Sequence, residues 1–308
     1  YKILNQKVSQ SIDDYKKAIA STQEEEELIN AEFLLAKSYE YLGKMHNAID
    51  EYHRILERKE DMAIFYKIAD LYAQTGDRYS AINILERGVK AFPDVIDLSE
   101  YLAALYLKEG QYDKAVEYAR NDFSKAKAYL MKGDNEKALE LLSKTEDKTN
   151  ANYPALMAEY YFNKKDFEKC KEYIEQFKAI DNQNPLVYQM SALVCDANND
   201  SYGYHYNMGR CYSYKQDYEL ALVEYLNAHR YDASRSEAVK EIIKINEAKG
   251  DKTSLMEFYE KLHRQEPDNP IALKGLGDVY ADMYEFKNAL DYYEKLAKAD
   301  SNNYEIYN

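Results

Sequence analysis

A fixed distance between small residues constrains the fold of this chain more than any other feature of its sequence. In the stretch Asn207–Tyr225, Gly209 is followed three residues later by Tyr212 and twelve residues later by a second small residue, Ala221. Small side chains let two helices approach closely, so this spacing predicts two amphipathic helices joined by a polar turn. The pattern recurs along almost the whole chain, which is typical of an array whose units pack on their neighbours.

The recurrence places each hairpin. The first small residue and the residue three positions later form the pairs Ala36/Tyr39, Ala69/Tyr72, Ala103/Tyr106, Ala126/Tyr129, Ala158/Tyr161, Gly209/Tyr212 and Gly277/Tyr280, with Ala192/Cys195 and Ile243/Asn246 as degenerate versions. Twelve residues after the first small residue come Ala48, Ala81, Ala115, Ala138, Cys170, Ala221, Leu255 and Ala289. We expect the seven tyrosines of these pairs to lie in the core, and Cys170 to be a small core residue.

The turns are expected seven residues after the first small residue. Glycine occupies this position at Gly43, Gly76, Gly110, Gly133 and Gly250, and Lys165, Gln216 and Tyr284 replace it elsewhere. Glycine suits a helix C-terminus because it tolerates positive φ. The aspartates that follow Gly76, Gly133 and Gly250 are expected to cap the next helix.

This pattern resembles the tetratricopeptide repeat, in which 34 residues form two antiparallel helices that meet at small residues. The units 29–61, 62–95 and 96–118 follow one another at spacings of 33 and 34 residues, and the units 202–235, 236–269 and 270–303 at spacings of 34. The resemblance implies an all-α fold, a right-handed α-α superhelical solenoid of about eight helix-turn-helix repeats.

The pattern also divides the chain into segments: 1–28 as a partial repeat, 29–118 as three units, 119–201 as irregular units, 202–303 as three regular units and 304–308 as the start of a further repeat. The period breaks between Ala115 and Ala138 and between Ala192 and Gly209. If one helix were missing from an array of helix pairs, the next unit would present the opposite face to its neighbour. We therefore expect either irregular units that bend the array or, as we favour, residues missing from the sequence near 120 and near 199.

The charge balance argues against nucleic acid as the partner. The chain has 55 acidic and 41 basic residues, a net charge of −14, whereas a nucleic-acid binder needs a basic face to displace counterions.

No apolar run approaches the ~20 residues of a membrane span, so we expect no direct membrane insertion. The odd number of cysteines, Cys170, Cys195 and Cys211, without C-x-x-C, predicts neither a disulfide framework nor a zinc site and favours the cytoplasm. The chain begins at Tyr1, so we expect the native N-terminus to be absent.

The sequence carries no arrangement of residues that predicts catalysis. The phosphate-binding, dinucleotide-binding, zinc-protease and nucleophile-elbow motifs are absent from it. His46 and His53 lie seven residues apart with Glu57 nearby, and we interpret them as surface side chains. We therefore predict a protein that is not an enzyme and needs no cofactor or metal.

A second set of first-helix side chains faces away from the neighbouring helix, toward the concave side of the expected solenoid. Counting from the small residues gives Phe33, Lys37, Tyr41, Tyr66, Lys67, Tyr101, Tyr206, Asn207, Arg210, Tyr214, Lys240, Lys244 and Lys274. Aromatic and cationic side chains together predict a groove that binds a peptide through apolar anchors and charge-assisted hydrogen bonds. The alternative is that the tyrosines only fill space. The Lys-Asn-Asn-Lys-Arg clamp with which some members of the family hold chaperone tails is not matched.

The leading interpretation is a non-catalytic protein–protein interaction scaffold that binds a protein or peptide in this groove. One alternative is a structural self-assembler, because no polar capping helix follows Tyr304 and a second chain could stack on the uncovered face. Another is the interaction portion of a longer enzyme.

Overall fold

The computed structural model describes residues 2–250 and 252–299, which contain eighteen helices and no strand. The helices are α1 (Lys2–Ser21), α2 (Glu25–Tyr41), α3 (Met45–Arg58), α4 (Met62–Gln74), α5 (Arg78–Ala91), α6 (Ile96–Lys108), α7 (Tyr112–Tyr118), α8 (Asp122–Lys132), α9 (Asn135–Lys144), α10 (Asn152–Asn163), α11 (Phe167–Ile180), α12 (Pro185–Ala197), α13 (Ser201–Tyr214), α14 (Tyr218–Tyr231), α15 (Glu237–Lys249), α16 (Lys252–Gln265), α17 (Pro270–Asp282) and α18 (Phe286–Ala299). Consecutive helices pack on one another from α1 to α10 and from α12 to α18. The prediction of an all-α solenoid of helical hairpins is confirmed, while its handedness and repeat count stay predictions.

The chain divides into two compact units within α11, between Tyr173 and Ile174. Within the first unit, the largest buried cluster extends from α1 to α8, and a second cluster joins α8, α9 and α10. Within the second unit, buried side chains of α13 to α18 form three smaller clusters. The repeat pattern of the sequence continues through this boundary and gives no sign of it.

The predicted turns have the expected backbone geometry. Positive φ angles occur at Gly43 (71°), Gly76 (82°), Gly110 (71°), Gly133 (88°), Lys165 (59°), Gln216 (62°), Gly250 (67°) and Tyr284 (62°), and also at Asn199 (58°). In the first of these turns the N–H of Lys44 donates to the carbonyl of Tyr39 at 2.9 Å, the long-range bond of a Schellman motif. The position seven residues after the small residue therefore fixes the turn whether or not glycine occupies it.

Two of the three predicted aspartate caps are present. Asp77 accepts a hydrogen bond from the N–H of Ser80 at 3.0 Å, and Asp134 accepts one from the N–H of Lys137 at 3.4 Å. Each bond satisfies an N–H that the helix itself leaves without a partner. The third aspartate, Asp251, lies outside the described residues, as does the segment 304–308 that the sequence assigns to a further repeat.

The contact between paired helices is closest where the first helix carries glycine. A Cβ atom on Gly209 would lie 2.6 Å from the ring of Tyr225, and one on Gly277 would lie 2.4 Å from the ring of Tyr293. Each tyrosine stands sixteen residues after its glycine, four residues after the second small position. Glycine is therefore needed here for space, because the ring occupies the volume that a methyl group would fill.

The predicted core tyrosines are only partly core. Tyr39 and Tyr106 are buried, but Tyr72, Tyr129, Tyr161, Tyr212 and Tyr280 are half-buried at the edge of the core, so the prediction is wrong for these five as full core residues. The fully buried tyrosines include Tyr52 and Tyr225, which lie on second helices. Cys170 is buried as predicted, and burial raises the pKa of its thiol to about 11.

The two breaks in the period have different structures. At the first, α7 has seven residues and the chain then turns directly into α8, whose first turn is capped by Asn121 accepting from the N–H of Ser124 at 2.8 Å. At the second, α13 packs on α12 through Gly203, whose Cβ would lie 2.7 Å from the Cys195 sulfur, and it also packs on α14. Helix α13 thus serves as the second helix of one hairpin and the first helix of the next. Missing residues near 120 and 199 stay a prediction.

Candidate protein-interaction surfaces

The candidate binding residues form two sets, one in each compact unit. The N-terminal face consists of Phe33, Lys37, Tyr41, Tyr66, Lys67 and Tyr101, on α2, α4 and α6. The C-terminal face consists of Tyr206, Asn207, Arg210, Tyr214, Lys240, Lys244 and Lys274, on α13, α15 and α17.

The cations of the N-terminal face are paired within the unit. The ammonium nitrogen of Lys37 lies 5.2 Å from the centroid of the Phe33 ring on the same helix. Lys67 on α4 forms an ion pair of 2.9 Å with Glu40 on α2, and Glu40 also accepts a hydrogen bond from the hydroxyl of Tyr52. Both positive charges therefore already have partners inside the unit.

The aromatic side chains of the N-terminal face also pair. The rings of Tyr66 and Tyr101 stack at 6.3 Å with 13° between their planes, and Tyr101 donates a hydrogen bond of 2.9 Å to Asp70. Burial, together with this hydrogen bond, raises the pKa of Tyr101 to about 12. The hydroxyl of Tyr66 is buried and has no hydrogen-bond partner among the described residues, whereas Tyr41 is 48% exposed at the end of α2.

The C-terminal face is organised around Arg210. Its guanidinium carbon lies 4.2 Å from the centroid of the Tyr188 ring, and the guanidinium donates a hydrogen bond of 3.0 Å to the Tyr188 hydroxyl. Tyr214 stacks on Tyr188 at 5.0 Å with 11° between the ring planes. Burial raises the pKa of Tyr188 to about 12, while hydrogen bonding to Tyr188 and Arg210 lowers the pKa of Tyr214. These contacts fix the position of the guanidinium.

The residues next to Arg210 on α13 play different parts. Tyr206 stacks on Tyr202 at 5.9 Å and is half-buried. The side-chain amide of Asn207 donates to the carbonyl of Gly203 at 2.9 Å and lies 3.6 Å from the Cys195 sulfur. The amide group of Asn207 therefore donates within the helix pair, and its part in binding a partner stays a prediction.

The lysines of the C-terminal face are exposed. Lys240 and Lys274 form no ion pair with any other described residue, and Lys244, whose side chain is 77% exposed, lies 3.9 Å from Glu241. The charge of Lys244 on α15 is also one of the causes that lower the pKa of Tyr214 on α13.

Tyr188 contacts the candidate binding residue Arg210, but the sequence pattern did not single it out. It is almost fully buried near the start of α12, and its sequence position is that of a large residue that packs the first helix. The signal that could have found it is the irregular spacing itself, because the short interval between α12 and α13 brings Tyr188 and Arg210 together.

The described residues hold no metal centre. Within residues 2–250 and 252–299, no three His, Cys, Asp or Glu side chains come together as a metal ion would require. The nitrogen Nε2 of His53 lies 3.1 Å from the Tyr72 hydroxyl, a contact within the protein. A cavity of about 30 Å³ between α14 and α16, lined by His229, Phe258 and Leu262 among others, has room for about one water molecule.

The described helices also give no sign of a membrane span. None of those lying in the described ranges combines the length and the hydropathy that crossing a bilayer requires.

Tandem helical hairpins with these turns define the class of protein. Three family models match the sequence, over residues 30–58, 66–121 and 155–184, and each is described as a tetratricopeptide repeat. These three segments are therefore tetratricopeptide repeats, and the resemblance seen in the sequence is confirmed. A comparison with curated proteins gave no match.

Solved structures with a similar arrangement include the C-terminal part of a TPR repeat-containing protein from Cytophaga hutchinsonii, with 13% identity, 98% of this chain and 94% of that chain covered, and a TM-score of 0.39. A tetratricopeptide repeat protein from Parabacteroides merdae has 14% identity, 79% and 93% coverage and a TM-score of 0.43. The human IFIT1 dimer with PPP-AAAA has 18% identity, 94% and 77% coverage and a TM-score of 0.41.

Proposed function

We propose that the chain is a non-catalytic scaffold whose first-helix faces bind a protein or an extended peptide. The repeat family supports a general role in protein interaction. The observation that carries the finer proposal is the aromatic and cationic cluster on α12 and α13, where Tyr188 and Tyr214 hold Arg210 at the surface. Tyrosine and arginine are the residue types that most often dominate binding energy at protein interfaces.

The proposal is consistent with the composition of the two faces. Tyr41 and Tyr214 are 48% and 36% exposed, so both first-helix faces present aromatic rings to solvent. Tyrosine is enriched at protein interfaces because its ring is apolar and its hydroxyl can form a hydrogen bond. The same proposal includes the predicted binding residues of the N-terminal face, Phe33, Lys37, Tyr66, Lys67 and Tyr101. Most of these side chains already contact other residues of their own unit.

The test is selection of binding peptides from a phage-displayed library of random 12-residue peptides, followed by fluorescence anisotropy with the selected sequences. We expect Tyr206→Ala and Arg210→Ala to weaken binding about tenfold or more, in the range of interface hot spots. The control is Tyr79→Ala, which removes an exposed tyrosine from a second helix. Circular dichroism establishes that helicity is retained. Binding that survives both first-helix substitutions would contradict the proposal.

Two alternatives stay predictions. Self-association would use the face beyond α18, and the residues that adjoin it, 300–308, lie outside the described residues. Sedimentation velocity over a range of concentrations tests it, since self-association requires a mass that rises with concentration. The interaction portion of a longer enzyme, and the absence of nucleic-acid binding, are equally untested.

A further inference from the structure

We propose that the C-terminal face binds an acidic segment of a partner protein and that Arg210 is the main anchor for its carboxylates. This inference rests on the proposed function and adds to it the chemistry of the partner. It concerns the surface that α13, α15 and α17 present in the second unit.

The distribution of charge on the C-terminal face favours an anionic partner. Residues 206, 240 and 274 occupy the same repeat position and are Tyr206, Lys240 and Lys274; residues 210, 244 and 278 occupy another and are Arg210, Lys244 and Asp278. The only carboxylate among these six, Asp278, accepts a hydrogen bond of 2.6 Å from the hydroxyl of Tyr293. On a chain of net charge −14, these six positions thus carry four cations against one engaged carboxylate.

The second argument is that the cations of this face are available. Lys240 and Lys274 pair with no described residue, and Lys244 is 3.9 Å from Glu241 with a side chain 77% exposed, which is a weak surface pair. An exposed lysine without a partner gains little by itself, but several on one face attract an anionic ligand. The cations of the N-terminal face lack this property, because Lys67 is paired with Glu40.

The third argument is the preorganisation of Arg210. Its guanidinium donates to the Tyr188 hydroxyl and lies over the Tyr188 ring, so its orientation is set before a ligand arrives. A guanidinium has five N–H donors, so donors remain for a bidentate pair with a carboxylate. Because the side chain is already ordered, little conformational entropy is lost on binding.

The fourth argument favours a protein segment over a nucleic acid. Glu241 lies beside Lys244, and the charges of Glu237 and Glu241 act on the hydroxyl of Tyr206, so carboxylates stand between the cations. A nucleic acid presents a phosphate at every step and would meet these carboxylates. A protein segment can place neutral residues or backbone N–H groups at the same points, and its apolar side chains can contact Tyr206 and Tyr214.

The experiment uses the same library of random 12-residue peptides displayed on phage. We expect peptides selected by the full chain to contain Asp and Glu at two to three times their frequency in the unselected library. Two derivatives of each selected peptide are then synthesised: one with an amidated C-terminus, and one in which Asn and Gln replace Asp and Glu. The C-terminally amidated peptide should keep its affinity, because side-chain carboxylates are the proposed ligands. The Asn/Gln peptide should bind about tenfold more weakly, the usual size for lost charge-assisted hydrogen bonds.

Matched variants locate the site. Lys240→Glu combined with Lys274→Glu should weaken binding about tenfold or more, whereas Lys59→Glu combined with Lys90→Glu changes the net charge equally on another surface and should change affinity less than twofold. Arg210→Gln should also weaken binding, with partial recovery in Arg210→Lys. Binding should fall between 50 and 300 mM salt, because exposed charges are screened.

The outcomes separate this inference from the proposed function. Selected peptides without an excess of acidic residues, which still lose affinity in Tyr206→Ala, would overturn the acidic partner and leave the peptide-binding scaffold standing. A library that yields no binding peptide would overturn both. Tighter binding of a 12-residue single-stranded oligonucleotide than of any acidic peptide would also overturn the inference, as would equal losses in the two double-lysine variants.

Discussion

The N-terminal and C-terminal faces use the same two repeat positions in opposite ways. On the N-terminal face, Tyr66 stacks on Tyr101 of the next first helix, and Asp70 accepts the Tyr101 hydroxyl hydrogen bond. On the C-terminal face, the equivalent positions carry Tyr206 and Arg210, and Arg210 contacts α12, the helix before it. The first face links consecutive repeats to one another, and the second leaves cations open to solvent.

This difference teaches that the repeat geometry does not determine what a face can bind. The turns of both units have the same positive φ angles, so the hairpins carry their side chains at equivalent positions. What differs is whether a neighbouring first helix offers a partner. Glu40 neutralises Lys67, whereas Lys240 has no carboxylate to contact among the described residues.

The largest expected effect concerns how closely helices pack inside each unit. Gly275→Ala would place a Cβ atom 2.2 to 2.4 Å from the ring of Tyr259, which is buried and must move. Overpacking of this kind costs ~1–3 kcal/mol, and the helix preference of alanine over glycine returns only about 1 kcal/mol. We expect a net loss of up to about 2 kcal/mol, measured as a lower thermal unfolding midpoint by circular dichroism.

The matched substitution in the first unit is Gly88→Ala. Its Cβ would lie 3.0 to 3.2 Å from the ring of Phe65, a distance that a shift of a few tenths of an ångström relieves. The helix preference of alanine then offsets the crowding, and the net change should stay within about 0.5 kcal/mol. Equal losses from the two substitutions would show that the closer approach calculated for Gly275 does not govern stability.

The fold could be predicted because it depends on local spacing. Small residues twelve positions apart and turns seven positions after the first, as in Gln216 and Tyr284, fix the hairpin without knowledge of any distant contact. The candidate surface could be predicted only as a list, because its chemistry depends on which side chains meet. Two of these meetings join different helices: the Tyr188 ring with Arg210, and Lys67 with Glu40. A third, the hydrogen bond from the Asn207 side chain to the carbonyl of Gly203, depends on the side-chain rotamer.

The second prediction compares the two cations directly. Arg210→Gln removes a guanidinium stacked on a largely buried ring, a contact worth about 0.5–2 kcal/mol, and we expect a loss of about 1 kcal/mol. Lys67→Gln removes a partly exposed ion pair, which contributes about 0–1 kcal/mol, and we expect at most about 0.5 kcal/mol. Chemical denaturation of both variants measures the difference. A larger loss for Lys67→Gln would reverse our assignment of which cation is the more firmly held.

The third prediction concerns the turns, where the units should respond alike. Lys165→Gly and Gln216→Gly replace residues with φ angles of 59° and 62°, a conformation that costs L-residues energy and that glycine adopts freely. We expect each substitution to stabilise its unit by about 0.5–1 kcal/mol, seen as a higher unfolding midpoint. The reverse change, Gly76→Ala, should destabilise by a similar amount. Stabilisation in one unit alone would mean that the turns are not equivalent.

The fourth prediction changes stability least and separates the faces by titration. Burial and the hydrogen bond to Asp70 raise the pKa of Tyr101 to about 12, whereas hydrogen bonds to Tyr188 and Arg210 lower the pKa of Tyr214. A tyrosine whose pKa is higher in the folded state than in the unfolded state stabilises the fold as long as its hydroxyl is protonated. This stabilisation is complete below the unfolded-state pKa of about 10 and is lost as the pH rises from there toward 12. Tyr214 should therefore ionise first.

The measurement is nuclear magnetic resonance of the Cζ carbons of labelled tyrosine between pH 8 and 12, with Tyr214→Phe and Tyr101→Phe to assign the two signals. In Arg210→Gln the pKa of Tyr214 should rise, because the cation that favours the phenolate is gone, while the pKa of Tyr101 in the other unit should not change. A Tyr214 signal that titrates with that of Tyr101, or that ignores the loss of Arg210, would mean that the guanidinium is not held against these rings. The C-terminal face would then lose its preorganised anchor and differ from the N-terminal face only in its unpaired lysines.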